Sequence, residues 1–569
     1  MLTVWGESLD KNNVLCEYPR PQLKRDSYLN LNGMWDYAIT DGGTACGKYD
    51  GQILVPFSPE SELSGVSYRL VPDQTLWYHR TVKLPAGFNK GRLLLNFGAV
   101  DQTAEIFINN TKCFTHIGGY TAFSIDITEF VTSDSFDLVV KVNDVTDTSH
   151  HSKGKQTLNP KGIWYTAQSG IWQTVWLEST PKDYIKEIKI TPSLDEKLVK
   201  IKVISDSDLP CTAKTLGKEI SFTSNIEQKI EINDFIPWTP DTPQLYDVDI
   251  ALGEDRISSY FAMRKVEVKA DPNGIKRIYL NNSPYFMHGL LDQGYWPDGL
   301  YTAPSDEALI YDINFAKEMG FNTLRKHIKI EPMRWYYHCD RLGMLVWQDL
   351  VNGGGDYKFM TISTPLVTGR HSRDGKYTDF SRGDFEGRKQ FYAELDETIN
   401  QLYNCPSIVL WTIFNEGWGQ FDARKAYDRL TAIDSTRLID HASGWHDQMI
   451  GEFKSLHVYF KKYRFKKDKL DRAVILTEFG GYGYKEDGHT WSDTNFCYKN
   501  FKDKAKLEKA LCALYEKQII PAAEQGLCAD IYTQLSDVET ELNGLITYDR
   551  KKIKVSSDTM RQLAKKLNG

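Results

Sequence analysis

After about residue 271 the chain alternates short apolar runs with helical stretches, and this rhythm restricts the fold more than any other feature. Eight strand candidates follow in order: Tyr285–Leu291, Asn322–His327, Leu345–Leu350, Ile408–Phe414, Leu438–His441, Leu456–Phe460, Val474–Glu478 and Ala529–Leu535. Pro304-Ser-Asp-Glu-Ala-Leu opens one helix with a capping residue ahead of an apolar period, and Glu331-Pro-Met-Arg-Trp-Tyr-Tyr opens another. Phe385–Tyr403 reads as a long third helix and Ser556–Leu567 as the last. Repeated strand–helix units of this number predict a (β/α)8 TIM barrel over 271–569. Segment 351–384, rich in Gly, Ser, Thr and Arg, follows the third strand and is long enough to read as a functional lid or rim.

Two of these strands stop abruptly at an acid followed by glycine: Trp411-Thr-Ile-Phe-Asn-Glu416-Gly and Val474-Ile-Leu-Thr-Glu478-Phe-Gly-Gly. A buried charge is costly, so this is poor core design. In one parallel barrel both carboxylates would emerge at the carboxyl-end mouth, where such barrels do their chemistry. Two facing carboxylates are the minimal arrangement for cutting a glycosidic bond; retention requires them about 5–5.5 Å apart, one as nucleophile and one as acid/base. The acid must keep its proton near neutral pH, and Phe414 and Trp418 could desolvate Glu416 to that end. Asn415 offers an amide to a substrate hydroxyl. The bland alternative for Glu416, a helix cap or surface acid, does not explain a second strand with the same ending.

The preceding half reads as β. Residues 1–180 hold short strand-like runs such as Leu76–Leu84, Arg92–Phe97, Ala104–Ile108 and Phe136–Val142, punctuated by Gly, Asn and Asp, which predicts an N-terminal β jelly roll. Residues 181–270 alternate lysine with apolar residues, as in Ile185-Lys-Glu-Ile-Lys-Ile190, and their length suits an immunoglobulin-like β-sandwich. A total of 569 residues is too many for one core. The net charge of −7 disfavours nucleic acid or an anionic membrane as the main partner. No apolar run approaches the length that spans a bilayer. The nine cysteines are dispersed without a CxxC pair, and no leader pattern is visible, so a cytoplasmic, reducing location is expected. His441, His446, Asp447 and His457 fall close together, but their spacing fits no compact zinc motif, and neither metal nor cofactor is expected.

Asn404-Cys-Pro-Ser-Ile-Val-Leu-Trp-Thr-Ile-Phe-Asn-Glu416 resembles the acid/base signature of glycoside hydrolase family 2, and Val474-Ile-Leu-Thr-Glu478-Phe-Gly resembles that family's nucleophile strand. Trp77-Tyr-His-Arg-Thr-Val, Trp238-Thr-Pro-Asp-Thr-Pro-Gln-Leu-Tyr246 and Tyr279-Leu-Asn-Asn-Ser-Pro-Tyr-Phe-Met-His-Gly289 resemble the family's jelly roll, its immunoglobulin-like domain and the opening of its barrel. The resemblance implies Glu416 as acid/base, Glu478 as nucleophile, Asn415 as partner of the 2-hydroxyl and Tyr459 as a hydrogen-bond donor to the nucleophile. It also implies a homo-oligomer and no resident cofactor. Arg325 is retained and could orient the nucleophile, whereas His327 is out of register with the family's usual histidine. The altered loop Leu290-Leu-Asp-Gln-Gly-Tyr-Trp-Pro-Asp298 offers Asp292, Trp296 and Asp298 as candidate sugar contacts, and His457 is a further one. Near the last strand, Glu541 stands where β-glucuronidases of the family carry the asparagine of an Asn-x-Lys pair, and the lysine is absent. A glutamate there would repel a uronate. The expectation is therefore a retaining exo-β-glycosidase acting on a β-galactoside, with a β-hexuronide second and a non-catalytic carbohydrate-binding protein as the reading from another class.

Overall fold

The computed structural model describes residues 1–568. The first β region is two antiparallel sheets. Tyr28–Asn30, Val175–Thr180, Arg92–Phe97 and Phe123–Asp126 form one, and a six-stranded sheet faces it across a core that includes Trp35, Leu95, Phe97, Ile106 and Val140. The second β region, Glu187 to Phe261, packs a three-stranded on a four-stranded sheet around Ile201, Val203, Val248 and Ile250. Its lysine alternation falls as the two-residue strand period requires: in Leu198–Ile204 the lysines point outward and the aliphatics inward. Buried Arg25 locks the two regions together, donating to Glu178 at 2.7 Å and to Asp255 at 2.9 Å. Trp238 then ties the sandwich to the barrel through the Asp340 carbonyl at 2.7 Å.

The barrel strands are β1 (Met287–Asp292), β2 (Thr323–Lys326), β3 (Leu345–Asp349), β4 (Ile408–Thr412), β5 (Leu438–Asp440), β6 (Phe453–Val458), β7 (Ala473–Gly480) and β8 (Leu527–Thr533). All ladders are parallel, in the order β5-β4-β3-β2-β1-β8-β7-β6. Every residue of β1–β5, β7 and β8 is buried, as expected of strands covered on both faces. Helices surround them, and the expected caps are in place: Ser305 accepts from Ala308 N at the start of Asp306–Glu318, and Asp384 from Gly387 N at the start of Phe385–Leu402. The seam between β5 and β6 lacks a ladder and is bridged at the mouth by side chains. Ser443 Oγ lies 3.0 Å from His457 Nε2 and 2.9 Å from Thr477 Oγ1. No helix is long and apolar enough to cross a membrane.

One excursion matters for the site. Residues 152–154 of the jelly roll run onto the barrel mouth, where the backbone N–H groups of Lys153 and Gly154 donate to Asn352 O at 2.9 and 3.1 Å. Gly154 has φ +58°, and a Cβ there would meet Ile328 O, Tyr301 and Tyr120 at about 3 Å, so only glycine fits this approach.

Candidate active site

Glu416 follows β4 with φ +50°, in the left-handed region that is costly for a side chain other than glycine. Its N–H donates to Ser443 O at 2.9 Å, which fixes the turn and aims the carboxylate across the mouth. Glu478 is on β7. A carboxylate oxygen of each, with a ring nitrogen of His457, lie within 4.8 Å of one another. That separation belongs to the retaining arrangement; inversion needs roughly 6.5–9.5 Å.

Glu478 is gripped from two sides. Arg325 Nη1 donates to Oε1 at 3.0 Å, and the Tyr459 hydroxyl donates to Oε2. Arg325 is fully buried, and it also donates to both oxygens of Asp349 (3.0 and 2.9 Å) and to Asn415 Oδ1 at 2.8 Å. Burial alone would lower its pKa, but Asp349 and Glu478 more than offset this and raise it. Because Asn415 Oδ1 accepts from Arg325, its Nδ2 is left to donate toward a ligand. His327 sits one layer back, 2.8 Å from Asp349.

Glu416 is hydrogen-bonded to His457. Nδ1 of that ring is 2.7 Å from Glu416 Oε1 and 3.4 Å from Glu478 Oε2. Ser443 donates to Thr477, so its oxygen is free to accept from His457 Nε2. Burial pushes the Glu416 carboxyl up, but the His457 hydrogen bond and charge, Lys155 and the Trp418 N–H outweigh it and hold it down at about 2. The desolvation by Phe414 and Trp418 expected from the sequence is therefore overridden: Trp418 Nε1 donates to Glu416 Oε2 at 3.1 Å. Both oxygens of Glu416 thus have protein partners, His457 Nδ1 on Oε1 and Trp418 Nε1 on Oε2.

Glu541 accepts from the Tyr165 hydroxyl and from Asn543 Nδ2 at 3.0 Å, and its burial raises the carboxyl's pKa. Beside it, Tyr498 stacks face to face on Tyr459 with centroids 3.8 Å apart. The Gly480-Gly481 pair after Glu478 makes this stack possible, since a Cβ on Gly481 would lie 2.3 Å from the Tyr498 ring.

The structure thus gathers Arg325, Asn415, Glu416, His457, Tyr459, Glu478 and Glu541, with His327 behind them. It does not gather the loop after β1. Asp292 is spent on Lys326 Nζ (2.6 Å) and Gly294 N (2.8 Å), Asp298 on Thr3 N and Oγ1 (2.8 and 2.7 Å), and Trp296 lies under Arg550 at 4.1 Å. Each is a buried group with a protein partner, although Asp298 Oδ1 has none. His441, His446 and Asp447 do not reach the carboxylates either. His446 and Asp447 fasten segment 351–384, through Ser372 N to His446 Nδ1 and Asp447 N to His371 Nδ1. Asp447 is further paired with Arg472 at 2.7 Å, and His441 with Asp447 at 3.2 Å. The fastened segment contributes Tyr357, Ile362 and Phe380 to an aromatic cluster with Trp164, Trp418 and Trp445. By distance Glu416, His457 and Glu478 could also ligate a cation, but Arg325 and Tyr459 already take both oxygens of Glu478.

Sequence reasoning missed Asp349, although it too is an acid closing an apolar strand. It also missed Lys155, Trp164, Tyr165 and Tyr498, which arrive from outside the barrel strands.

Paired carboxylates on parallel strand ends, roofed by a β domain, place this molecule among the barrels built on an acid pair. The chain belongs to glycosyl hydrolase family 2: residues 273–568 match that family's TIM barrel domain and residues 67–181 its sugar binding domain. It is similar to a putative beta-glucuronidase of Formosa agariphila, 28% identical over 366 residues, which are 60% of this chain and 39% of that one. It is also similar to a beta-galactosidase of Thermoanaerobacter pseudethanolicus, 26% identical over 360 residues, 57% of this chain and 46% of that one. The chain thus spans less than half the length of these curated relatives. Among solved structures, a beta-D-glucuronidase of Dictyoglomus thermophilum superposes with TM-score 0.74 at 17% identity, covering 96% of this chain and 98% of that one. A GH2 beta-galacturonidase of Eisenbergiella tayi bound to galacturonate gives TM-score 0.71 at 18% identity, covering 96% and 99%. At such identities the likeness is one of fold.

Proposed function

We propose that the protein is a retaining exo-β-glycosidase working by double displacement. The observation that carries this reading is the pair of carboxylates within 4.8 Å, only one of which is clamped by Arg325 and Tyr459. The clamped group, Glu478, attacks the anomeric carbon. The Glu416–His457 pair releases its proton to the departing oxygen, and Glu416 then takes a proton from the water that frees the sugar. Asn415 Nδ2 binds the hydroxyl next to the reacting carbon. The jelly-roll residues 152–166 wall one side of the mouth, which suits a terminal sugar.

Two glycones remain in play, the β-galactoside expected first from the sequence and a β-hexuronide. The sugar-reading loop expected after β1 is used structurally, so the choice passes to the groups around Tyr165, Glu541 and Lys155. The free state of all nine cysteines supports a reducing, cytoplasmic setting.

Nitrophenyl β-glycosides test the reaction. Wild type is expected to cleave at least one, with anomeric retention visible by NMR. Binding of sugar without hydrolysis of any glycoside would make the chain a carbohydrate-binding module. For Glu416→Gln the loss should be about 10²–10⁴-fold on poor leaving groups and small on dinitrophenyl ones. An equal loss on both would remove Glu416 from the acid role.

A further inference from the structure

At the barrel mouth one lysine, Lys155, makes neither an ion pair nor a hydrogen bond among the described residues. Lys326 is paired with Asp292 and Glu331 at 2.6 and 2.8 Å, Lys329 with Glu331 at 2.8 Å, and Lys554 with Asp537 at 2.6 Å. Lys155 is equally secluded, only 7% exposed, yet among the described residues it makes no ion pair and no hydrogen bond; its Nζ lies 5.4 Å over the Trp164 ring. That ring stands edge-on to Trp418, which donates to Glu416, and Tyr165, whose N–H holds the Lys155 carbonyl, donates from its hydroxyl to Glu541. Lys155 is therefore tied into the mouth between the partners of Glu416 and those of Glu541. Its position is fixed by the Gly154 approach and by Tyr165 N donating to Lys155 O at 3.0 Å.

The side chain is enclosed, but its Nζ is not sealed off, so it is open to a charge that a ligand brings. Chains keep such a group where a ligand completes it. We propose that Lys155, delivered into the barrel mouth by the jelly-roll domain, pairs with a carboxylate on the bound sugar, making the preferred substrate a β-hexuronoside. This rests on the glycosidase reading above. Glu541, which seemed to forbid a uronate, is the weaker obstacle: burial favours its neutral form, and Tyr165 and Asn543 already occupy its oxygens. The cation that answers a uronate in this chain thus comes from a different domain than the absent lysine near β8.

The test compares wild type, Lys155→Met and Lys155→Arg on nitrophenyl β-D-glucuronide, β-D-galacturonide and β-D-galactoside. Wild type should prefer a uronide. Lys155→Met should lose about 10²–10³-fold in kcat/KM on that uronide, the cost of an unanswered carboxylate, and at least tenfold less than that on the galactoside. Lys155→Arg should recover part of the loss. A wild type that cleaves only the galactoside, or a Lys155→Met variant that loses both substrates equally, overturns the proposal and leaves the glycosidase reading standing. If wild type cleaves nothing, the glycosidase reading fails separately. Calorimetric titration with free glucuronate and galacturonate then decides the role of Lys155: binding to wild type that Lys155→Met abolishes upholds it, and no binding to wild type ends it. A merely structural lysine would lower the melting temperature without altering the ratio between substrates.

Discussion

The mouth of this barrel has two halves of opposite character. On the half built from strand ends, the charges around the two glutamates are paired: Arg325 answers Asp349 and Glu478, His457 answers Glu416, and Lys326 answers Asp292. On the half brought by the jelly roll and loops, Lys155 has only an aromatic face, and Trp164, Tyr357 and Trp418 form an aromatic wall. The difference separates two tasks. A satisfied network is rigid and needs no reorganisation when charge develops, which is what the reaction centre requires. An unsatisfied wall is completed by its ligand, which is what selectivity requires.

The comparison breaks first at Glu478. If the strand-end half performs the reaction, Glu478→Gln should lower kcat by about 10⁴-fold or more on every substrate, with sugar binding retained. Residual turnover near wild type, measured with an activated nitrophenyl glycoside, would move the nucleophile elsewhere. A milder effect is expected from the opposite half. Trp164→Ala removes a ring that stands edge-on to Trp418 at 5.1 Å and under Lys155, and should raise KM by on the order of tenfold while leaving kcat close to wild type. A fall in kcat as large as that of Glu416→Gln would show the two halves to be one unit.

The same division explains what could be read from the sequence. The eight barrel strands, the long third helix and both catalytic candidates were legible because parallel strands buried on two faces write near-continuous apolar runs, and an acid at the end of such a run is conspicuous. Asp349 carries the same signature and needed only the same rule. Asp292 and Asp298 were misplaced for a different reason: an acid in a loop reads alike whether it awaits a ligand or is claimed by Lys326 or by Thr3, and the claimants lie 34 and 295 residues away. Lys155 left no barrel signal. Its place depends on a long-range approach that hinges on Gly154, and a Lys-Gly-Lys triplet between strands looks like any solvated turn. His457 was noticed for the wrong company; its partners are the carboxylates, whereas His446 and Asp447 fasten the segment after β3.

The smallest expected effect concerns how the unsatisfied half is held in place. Ser152, two residues before Gly154, donates to Glu394 on the helix Phe385–Leu402, and Gln390 donates to the same carboxylate at 2.9 Å. Burial raises the Glu394 carboxyl to about 7, against the opposing hydrogen bonds. A carboxyl whose pKa is higher folded than unfolded contributes stability that is full below its unfolded value, roughly 4.5, and is lost as pH rises through about 7. The jelly-roll segment should therefore loosen from the barrel as pH passes from about 5 to 8, while the strand-end half, whose Asp349 is held low against burial by Arg325 and His327, should not. Glu394→Gln keeps the hydrogen bonds but cannot ionise. Its melting temperature relative to wild type should rise between pH 5 and about 7 and level off above that. Hydrogen exchange at residues 150–157 should lose its pH dependence beyond the intrinsic rate. A constant difference in melting temperature across that range would mean that this contact does not titrate, and that the two halves of the mouth are anchored equally.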